Sequence, residues 1–354
     1  MLFILKKPLL ADVPDRFNSA TKLVLNRLGI AVKIQDMWPN YGYLVFVRRG
    51  FPFSCRLFDR LIASSSLKAL LRKVRGGDMV WVNGLTNVQA DTQCRFEHQI
   101  KAKGAQYIFW LEDDLLSVSY FEESVRVRID LADAVAVVTP QLQSRVLRDY
   151  PHKKVILVEE PIDPQRTGQI IHPKAGELPV VAWTGRENLF RLPIVAGMLT
   201  RVYEKVPFKL RIVCGQKRPK FDFPISWEWK PYRQQQEARS FDGTLVGIAT
   251  LEKRSYDESK GNYKVKTYMA MGLCPVVTRF GYNRNLIEHG KNGFLADTED
   301  EWVEILTDLL RHPEKAIQIG LNARLFIKET YTHEKIIPSW GEALRGFRSI
   351  DCTL

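Results

Sequence analysis

Cysteine is scarce and scattered in this sequence: Cys55, Cys94, Cys214, Cys274 and Cys352 are odd in number and far apart. None forms a C-x-x-C pair. That excludes a zinc or dithiol redox site of the usual spacing and makes reduced thiols in the cytoplasm the expectation. The six histidines show no metal-ligand spacing, so no metal site is expected. No segment reaches the roughly 18 consecutive apolar residues of a membrane-spanning helix. The opening MLFILKKPLL sets its apolar run before its lysines and lacks a small-residue cleavage site. It reads as a first strand, not as a secretory signal. Internal repeats and low-complexity stretches are missing too.

Apolar material is plentiful. The 354 residues are 45% hydrophobic, with 18 Phe and 8 Trp, enough for two cores in domains of about 150 residues each. A net charge of +12 suits an anionic partner: nucleic acid, an acidic membrane face or a phosphorylated small molecule. No zinc finger, aromatic RNA-binding signature or basic coiled coil accompanies the charge, so nucleic acid is not the expected partner.

Short apolar runs alternate with helical patterns along nearly the whole chain. Candidate strands in the first half are Leu2–Leu5, Ala31–Gln35, Leu44–Val47, Asp78–Val82, Gln106–Leu111, Ala134–Val138 and Val155–Val158. One amphipathic segment between them carries Val13, Phe17, Ala20, Val24 and Leu28 on one face; another opens with Thr139 as N-cap and Pro140 at the first helical position. The stretch EEPIDPQRTGQIIHPKAGEL, with three prolines, two glycines and no period, reads as an inter-domain linker. The alternation restarts with Val180–Thr184, Lys209–Gly215, Thr244–Ala249, Cys274–Thr278 and Gly293–Ala296. Thr298 and Glu301 then predict a capping box ahead of a helix that His312–Pro313 stops. Such alternation predicts an α/β protein with parallel sheets covered on both faces, as two doubly wound domains facing across a cleft. The expected boundaries are 1–165, a linker over 166–178, 179–333, and a closing helix over 334–354 that packs back toward the first domain.

In open parallel sheets, ligands sit beyond the carboxyl ends of the strands, where turns lead into helix N-termini. Three turns qualify. Val180–Thr184 leads into Gly185 and Arg186, with Arg191 five residues on; two guanidinium groups there suit a diphosphate. The second runs from Ser259 through Gly261, Asn262, Tyr263 and Lys264 to Thr267, a polar loop before a short helix, with Lys260, Lys264 and Lys266 adding positive charge. The third is Phe280-Gly281-Tyr282-Asn283-Arg284-Asn285, after the next strand.

The run KVKTYMAMGLCPVVTRFGYNRNLIEHGKNGFLADTEDEW resembles the donor-binding segment of the retaining, GT4-like (glycosyl transferases group 1) GT-B glycosyltransferases. WTGRENLFR looks like that family's phosphate loop, with Arg191 where the family has a lysine. KLRIVCG, ADAVAVVTPQLQSRVL and VILVEEPID look like further family segments, so the resemblance spans most of the chain. It implies a GT-B fold with two Rossmann-like domains, a nucleotide-sugar donor held by 179–333, and a glycan or lipid-linked acceptor held mainly by 1–165. It also implies transfer with retention at the anomeric carbon, without metal or cofactor. Carried over by position, Arg186 and Arg191 hold the diphosphate, Lys264 sits near it, and the backbone of Gly281–Asn283 meets phosphate or sugar. The family's two acidic positions, eight apart, fall on Ser259 and Thr267, and a third on Asn285. The family's glycine-rich loop after the first strand is replaced by KKPLLADVP.

In the first half, Trp110-Leu111-Glu112-Asp113-Asp114-Leu115 follows a strand. Glu112 and Asp113 are the candidate catalytic carboxylates, able to accept from sugar hydroxyls or to take an acceptor proton. A metal-binding acidic motif and a plain acid-rich helix start are the competing readings. The stretch 48–75 holds eight Arg/Lys and a single acid, Asp59. Phe53, Leu57 and Leu61 share a face beside Arg56 and Arg60, which suits either an anionic membrane face or a solvated helix. Location in the cytoplasm, free or peripheral on the inner membrane face, follows. The leading function is a glycosyltransferase of cell-surface polysaccharide synthesis. The missing family glutamates motivate an alternative, a non-catalytic GT-B-fold partner subunit that binds glycan or nucleotide.

Overall fold

The computed structural model describes residues 2–6, 25–29, 32–36, 68–83, 93–174, 176–185, 192–215, 218, 222–232, 237–345 and 347. The expected strand Leu44–Val47, the face from Val13 to Val24, and 48–67 of the basic stretch lie outside these residues, as do Arg186 and Arg191. The chain divides into two compact units. One comprises Met1–Glu160, Glu258–Gly261 and Ile336–Leu354; the other comprises Pro161–Asp257 and Asn262–Lys335.

The first unit holds strands β1 (Leu2–Lys6), β2 (Val32–Asp36), β3 (Met79–Asn83), β4 (Gln106–Leu111), β5 (Ala134–Val137) and β6 (Val155–Leu157). They form one sheet in the order β2-β1-β3-β4-β5-β6, every pairing parallel. Five of the six residues of β4 are buried, the continuous apolar run of a strand covered on both faces. Helices α1 (Arg95–Ala102), α2 (Ser119–Leu131) and α3 (Pro140–Asp149) follow β3, β4 and β5. Thr139 caps α3, its Oγ1 accepting from the Leu142 N–H at 3.2 Å, and Pro140 occupies the first turn. Under α1 and α2, Arg128 donates to Glu97 at 2.9 Å and to the Ser124 carbonyl at 3.1 Å, so this buried ion pair carries further hydrogen bonds.

A second ion cluster joins α2 to α3. Arg145 reaches Asp149 at 2.7 Å, and Arg126 meets Asp149 at 3.3 Å and Glu122 at 3.0 Å. The hydrogen bond from Arg145 holds the Asp149 carboxyl below the usual carboxylate range. A depressed folded-state value stabilises above the unfolded value of about 3.9, and that contribution disappears as pH falls through the folded value. Asp149→Asn should therefore cost about 1 kcal/mol at pH 7. Urea titrations should show the gap from wild type closing below about pH 4, near the unfolded carboxyl value. A gap of the same size at pH 3 would contradict the ion-pair account.

Three indoles close the other face of this sheet. Trp81 meets Trp110 edge-on at 5.5 Å and lies at 23° to Trp340 with ring centroids 6.3 Å apart. The Trp340 indole N–H also donates to the Glu159 carbonyl at 3.1 Å. Trp340 lies in the last described helix, His333–Leu344, whose residues from Ile336 onward belong to this unit.

The second unit holds β7 (Val180–Thr184), β8 (Lys209–Val213), β9 (Trp227–Lys230), β10 (Val246–Ala249), β11 (Cys274–Thr278) and β12 (Phe294–Ala296), all parallel, in the order β12-β11-β10-β7-β8-β9. Counted within the unit this is the order 3-2-1-4-5-6 of dinucleotide-binding domains, reversed in viewing direction. Strand β9 has no counterpart among the strands expected from the sequence. Its WEWK alternates at a sheet edge, pairing β8 alone, and prolines at 219 and 224 precede it. After β6 come α4 (Pro164–Thr167), α5 (Leu192–Lys205), α6 (Ser255–Glu258), α7 (Tyr263–Met271), α8 (Asn283–Leu286), α9 (Glu299–Arg311), α10 (Pro313–Thr330) and α11, the helix carrying Trp340. The predicted capping box on α9 is present in both directions. The sheet core is built from Val181, Leu210, Ile212, Val246, Ile248 and Val276, with α5, α9 and α10 supplying Leu199, Leu306 and Ile319.

Candidate functional site

The topology of the second unit fixes where a ligand can sit. The strand order reverses between β7 and β10, so the crevice beyond their carboxyl ends is the switch point of the sheet. Thr184 and Gly185 end β7, Ala249 and Thr250 end β10, and Thr278 ends β11. The turns singled out after β7 and β11, and the second turn from Asn262 onward, therefore open at one end of one sheet.

Gly185 is required by its neighbour. A Cβ here would lie 2.6 Å from Cζ2 of the Trp183 indole and closer still to Cη2. Trp183 is 1% exposed, and the Lys264 ammonium lies 5.0 Å from its ring centroid, a cation–π distance. The indole thus brings Gly185 of the first turn and Lys264 of the second to one place. Sequence reasoning missed Trp183. The available signal was a large aromatic two residues before a glycine at a strand end, where the missing side chain makes room for the ring.

The second turn enters α7 through Asn262, a non-glycine residue with φ of 45°. Its side-chain N–H donates to Oδ1 of Asn283 at 2.8 Å, and the Asn283 amide in turn donates to the Thr278 carbonyl at 2.9 Å. These two bonds tie the start of α7 to the third turn and to the end of β11. The Leu251 N–H, after β10, donates to Thr278 Oγ1 at 3.0 Å and joins the same assembly. Tyr263 and Lys264 are half-buried in the first turn of α7, where helix N–H groups and dipole favour an anion.

Several expected ligand groups are committed to structure. Thr267 is buried and donates to the Tyr263 carbonyl at 3.0 Å. Tyr282 is fully buried, its hydroxyl 3.0 Å from that of Tyr331. Lys266 does not face the helix start with Lys264. It is 1% exposed, its ammonium 4.1 Å from the Tyr331 ring centroid and 5.3 Å from that of Tyr282, so its charge lies beneath the third turn. Gly281 is buried, while Asn285 is exposed on α8. Ser259 and Gly261 belong to the first unit: the Ser259 carbonyl accepts from Thr139 Oγ1 at 2.9 Å, and a Cβ on Gly261 would meet Glu160 at 3.2 Å. Within the second unit the structure brings together Gly185, Asn262, Tyr263, Lys264, Gly281, Tyr282 and Asn283.

In the first unit, Glu112 and Asp113 are half-buried at the carboxyl end of β4. Asp114 beside them is fully buried, 3.4 Å from Arg145. Burial pushes its carboxyl up, and the Arg145 guanidinium opposes that shift. Asp114 thus anchors the loop, leaving Glu112 and Asp113 as the accessible carboxylates of the run. Among the described residues, no three His, Cys, Asp or Glu side chains are grouped to hold a metal ion, and no helix is long and apolar enough to cross a membrane.

No family model matches the sequence, and no curated protein matches it. Solved structures do match in fold. HepE from Anabaena, in complex with UDP and glucose, superposes with a TM-score of 0.63 at 13% identity over 98% of this chain and 99% of that one. Sucrose-phosphate synthase from Thermosynechococcus elongatus gives 0.65 at 15% identity over 97% and 98%. TarM gives 0.60 at 14% identity over 80% of this chain, which spans only 58% of TarM's length. These neighbours are GT-B glycosyltransferases, and the chain has their fold: parallel α/β with two Rossmann-like domains.

Proposed function

We propose that this GT-B chain is a glycosyltransferase of the retaining, GT4-like kind, taking a sugar from a nucleotide-sugar in its second unit. The observation that carries the reading is the convergence of Gly185, Lys264 and the Gly281–Asn283 turn at the carboxyl end of the β7–β10 switch point. A glycine turn, a helix N-terminus and a cation at such a place suit a diphosphate. Arg186 follows Gly185 directly in sequence, with Arg191 five residues further on, and the pair would add two guanidinium groups. HepE and the pneumococcal O-GlcNAc transferase GtfA were both solved with UDP bound, which supports a nucleoside diphosphate here.

In the proposed reaction, the bond from the anomeric carbon to the diphosphate oxygen breaks and a bond to an acceptor hydroxyl forms on the same face of the sugar. The acceptor proton passes to the departing diphosphate. The protein contributes position and charge: Lys264 and the α7 N-terminus stabilise the leaving group. Glu112 and Asp113 orient a glycan or lipid-linked acceptor in the first unit, at the cytoplasmic membrane face or in the cytoplasm. No resident metal or cofactor is invoked.

Thr267 favours a second reading. Its hydroxyl is spent on the Tyr263 carbonyl, at one of the two positions where the resemblance places an acidic residue. A chain that binds nucleotide or glycan as a non-catalytic partner subunit fits that substitution. Turnover separates the two. With a matched donor and acceptor, nucleoside diphosphate should be released at least tenfold faster than with donor alone, and the product should keep the donor's anomeric configuration by NMR. Release that never depends on acceptor, across glycan and lipid-linked acceptors, would favour the binding subunit.

A further inference from the structure

Tyr268 lies in α7 within the YMAMG run and is fully buried. Its ring covers β10: a Cβ on Gly247 would lie 2.6 to 2.9 Å from three of the ring carbons, so Gly247 is glycine to admit the tyrosine. Phe241 packs edge-on against the ring, with centroids 6.0 Å apart. The hydroxyl then reaches the switch point. It accepts from the Thr184 N–H at 2.8 Å and donates to the Ile248 carbonyl at 3.2 Å.

The register gives this bridge its meaning. Strands β7 and β10 pair as Val246↔Val181, Gly247↔Ala182 and Ile248↔Trp183. In a parallel ladder the next bond from the last pair runs from the Thr184 N–H to the Ile248 carbonyl. The Tyr268 hydroxyl lies between that donor and that acceptor, at the last rung before the crevice opens. On the other side of β7, the Gly185 N–H and Thr184 Oγ1 both turn to the Val213 carbonyl. The turn that carries Gly185 is thus held from two sides, and one hold is a side chain of the donor helix itself.

We propose that Tyr268 is a positioning residue for the donor site, its hydroxyl spacing the ends of β7 and β10 and fixing the Thr184–Gly185 turn against α7. The proposal rests on the donor reading above. Tyr268 makes no contact with the nucleotide; it sets the distance between the two elements that do. Removing the hydroxyl leaves a buried N–H and carbonyl to rearrange, and the turn shifts relative to Lys264.

Tyr268→Phe keeps the ring and tests this. In the full-length protein, calorimetric titration with UDP, and with ADP and GDP in parallel, should show affinity for the bound nucleotide about tenfold weaker than wild type, the cost of one buried hydrogen bond. Hydrogen exchange should show the Thr184 amide exchanging at least tenfold faster, while amides of α9 are unchanged. A hydroxyl that merely stabilises the sheet would lower the melting temperature and leave affinity untouched, and that outcome overturns the proposal. So does weakened affinity with unchanged exchange at Thr184. If Y268F fails to fold, Gly247→Ala keeps the hydroxyl but displaces the ring; unchanged Thr184 exchange and affinity there overturn the proposal equally. Should wild type bind none of the nucleotides, the donor reading fails and takes this assignment with it. Wild-type binding with Y268F binding equally well removes this assignment alone.

Discussion

Gly320→Ala should destabilise the second unit by about 3 kcal/mol or more, the largest single-methyl effect expected in the protein. In an exposed helix the same change would gain up to about 1 kcal/mol. Here Gly320 lies on the buried side of α10, which packs against the loop closing α7. A Cβ would overlap the Gly272 carbonyl oxygen and lie 2.9 Å from its carbon and 3.1 Å from the Cys274 nitrogen. All three are backbone atoms, so no side chain can swing aside. Gly272 cannot yield cheaply either: it caps α7 in the left-handed region at φ 85°, with its N–H on the Met269 carbonyl. For a unit of this size, about 3 kcal/mol lowers the melting temperature by about 6 to 12 °C. A scan showing no drop would mean that α10 does not pack against this loop.

Lys264→Ala should weaken nucleoside diphosphate binding by about 10- to 100-fold with little change in stability, the span of one charge-assisted hydrogen bond. The ammonium is half-buried over Trp183, at the first turn of α7, and its charge adds to that of the helix terminus. Gly185→Ala should reproduce the loss with Lys264 intact, because the new methyl drives the indole out from under the ammonium. Isothermal titration of both variants checks this. Wild-type affinity in Lys264→Ala would remove the lysine from the site. Full affinity in Gly185→Ala would remove the indole's part in holding it.

Legibility followed local pattern. The capping box at Thr298–Glu301, the Thr139–Pro140 helix start and the buried runs of β4 and β11 are short-range signals, and each is where the sequence placed it. Strand β9 was hidden because an edge strand of four residues has neither a continuous apolar run nor length on its side. The site was legible as turns but not as contacts. Three loops were named from the rule that ligands meet strand ends, Asn262, Lys264 and Asn283 among their residues, whereas the buried aromatics that brace them were not. Trp183 reads as one more core aromatic until Gly185 and Lys264 are seen around it. Tyr268 reads as a filler of a buried helix until its hydroxyl is found at the β7–β10 rung. Lys266 shows the opposite error: three lysines within seven residues suggest one cluster, yet the helical period turns Lys266 inward onto Tyr331 and Tyr282.

The central claim is that the second unit binds a nucleotide-sugar, and ligand-induced thermal stabilisation tests it most directly. The purified chain is melted against UDP, ADP, GDP, CDP and dTDP and their common sugars. At about a hundred times its dissociation constant a ligand adds roughly 2.7 kcal/mol, a shift of several degrees. The account predicts such a shift for one base and its sugars, reduced in Lys264→Ala. No shift from any member of the panel at millimolar concentration would contradict it.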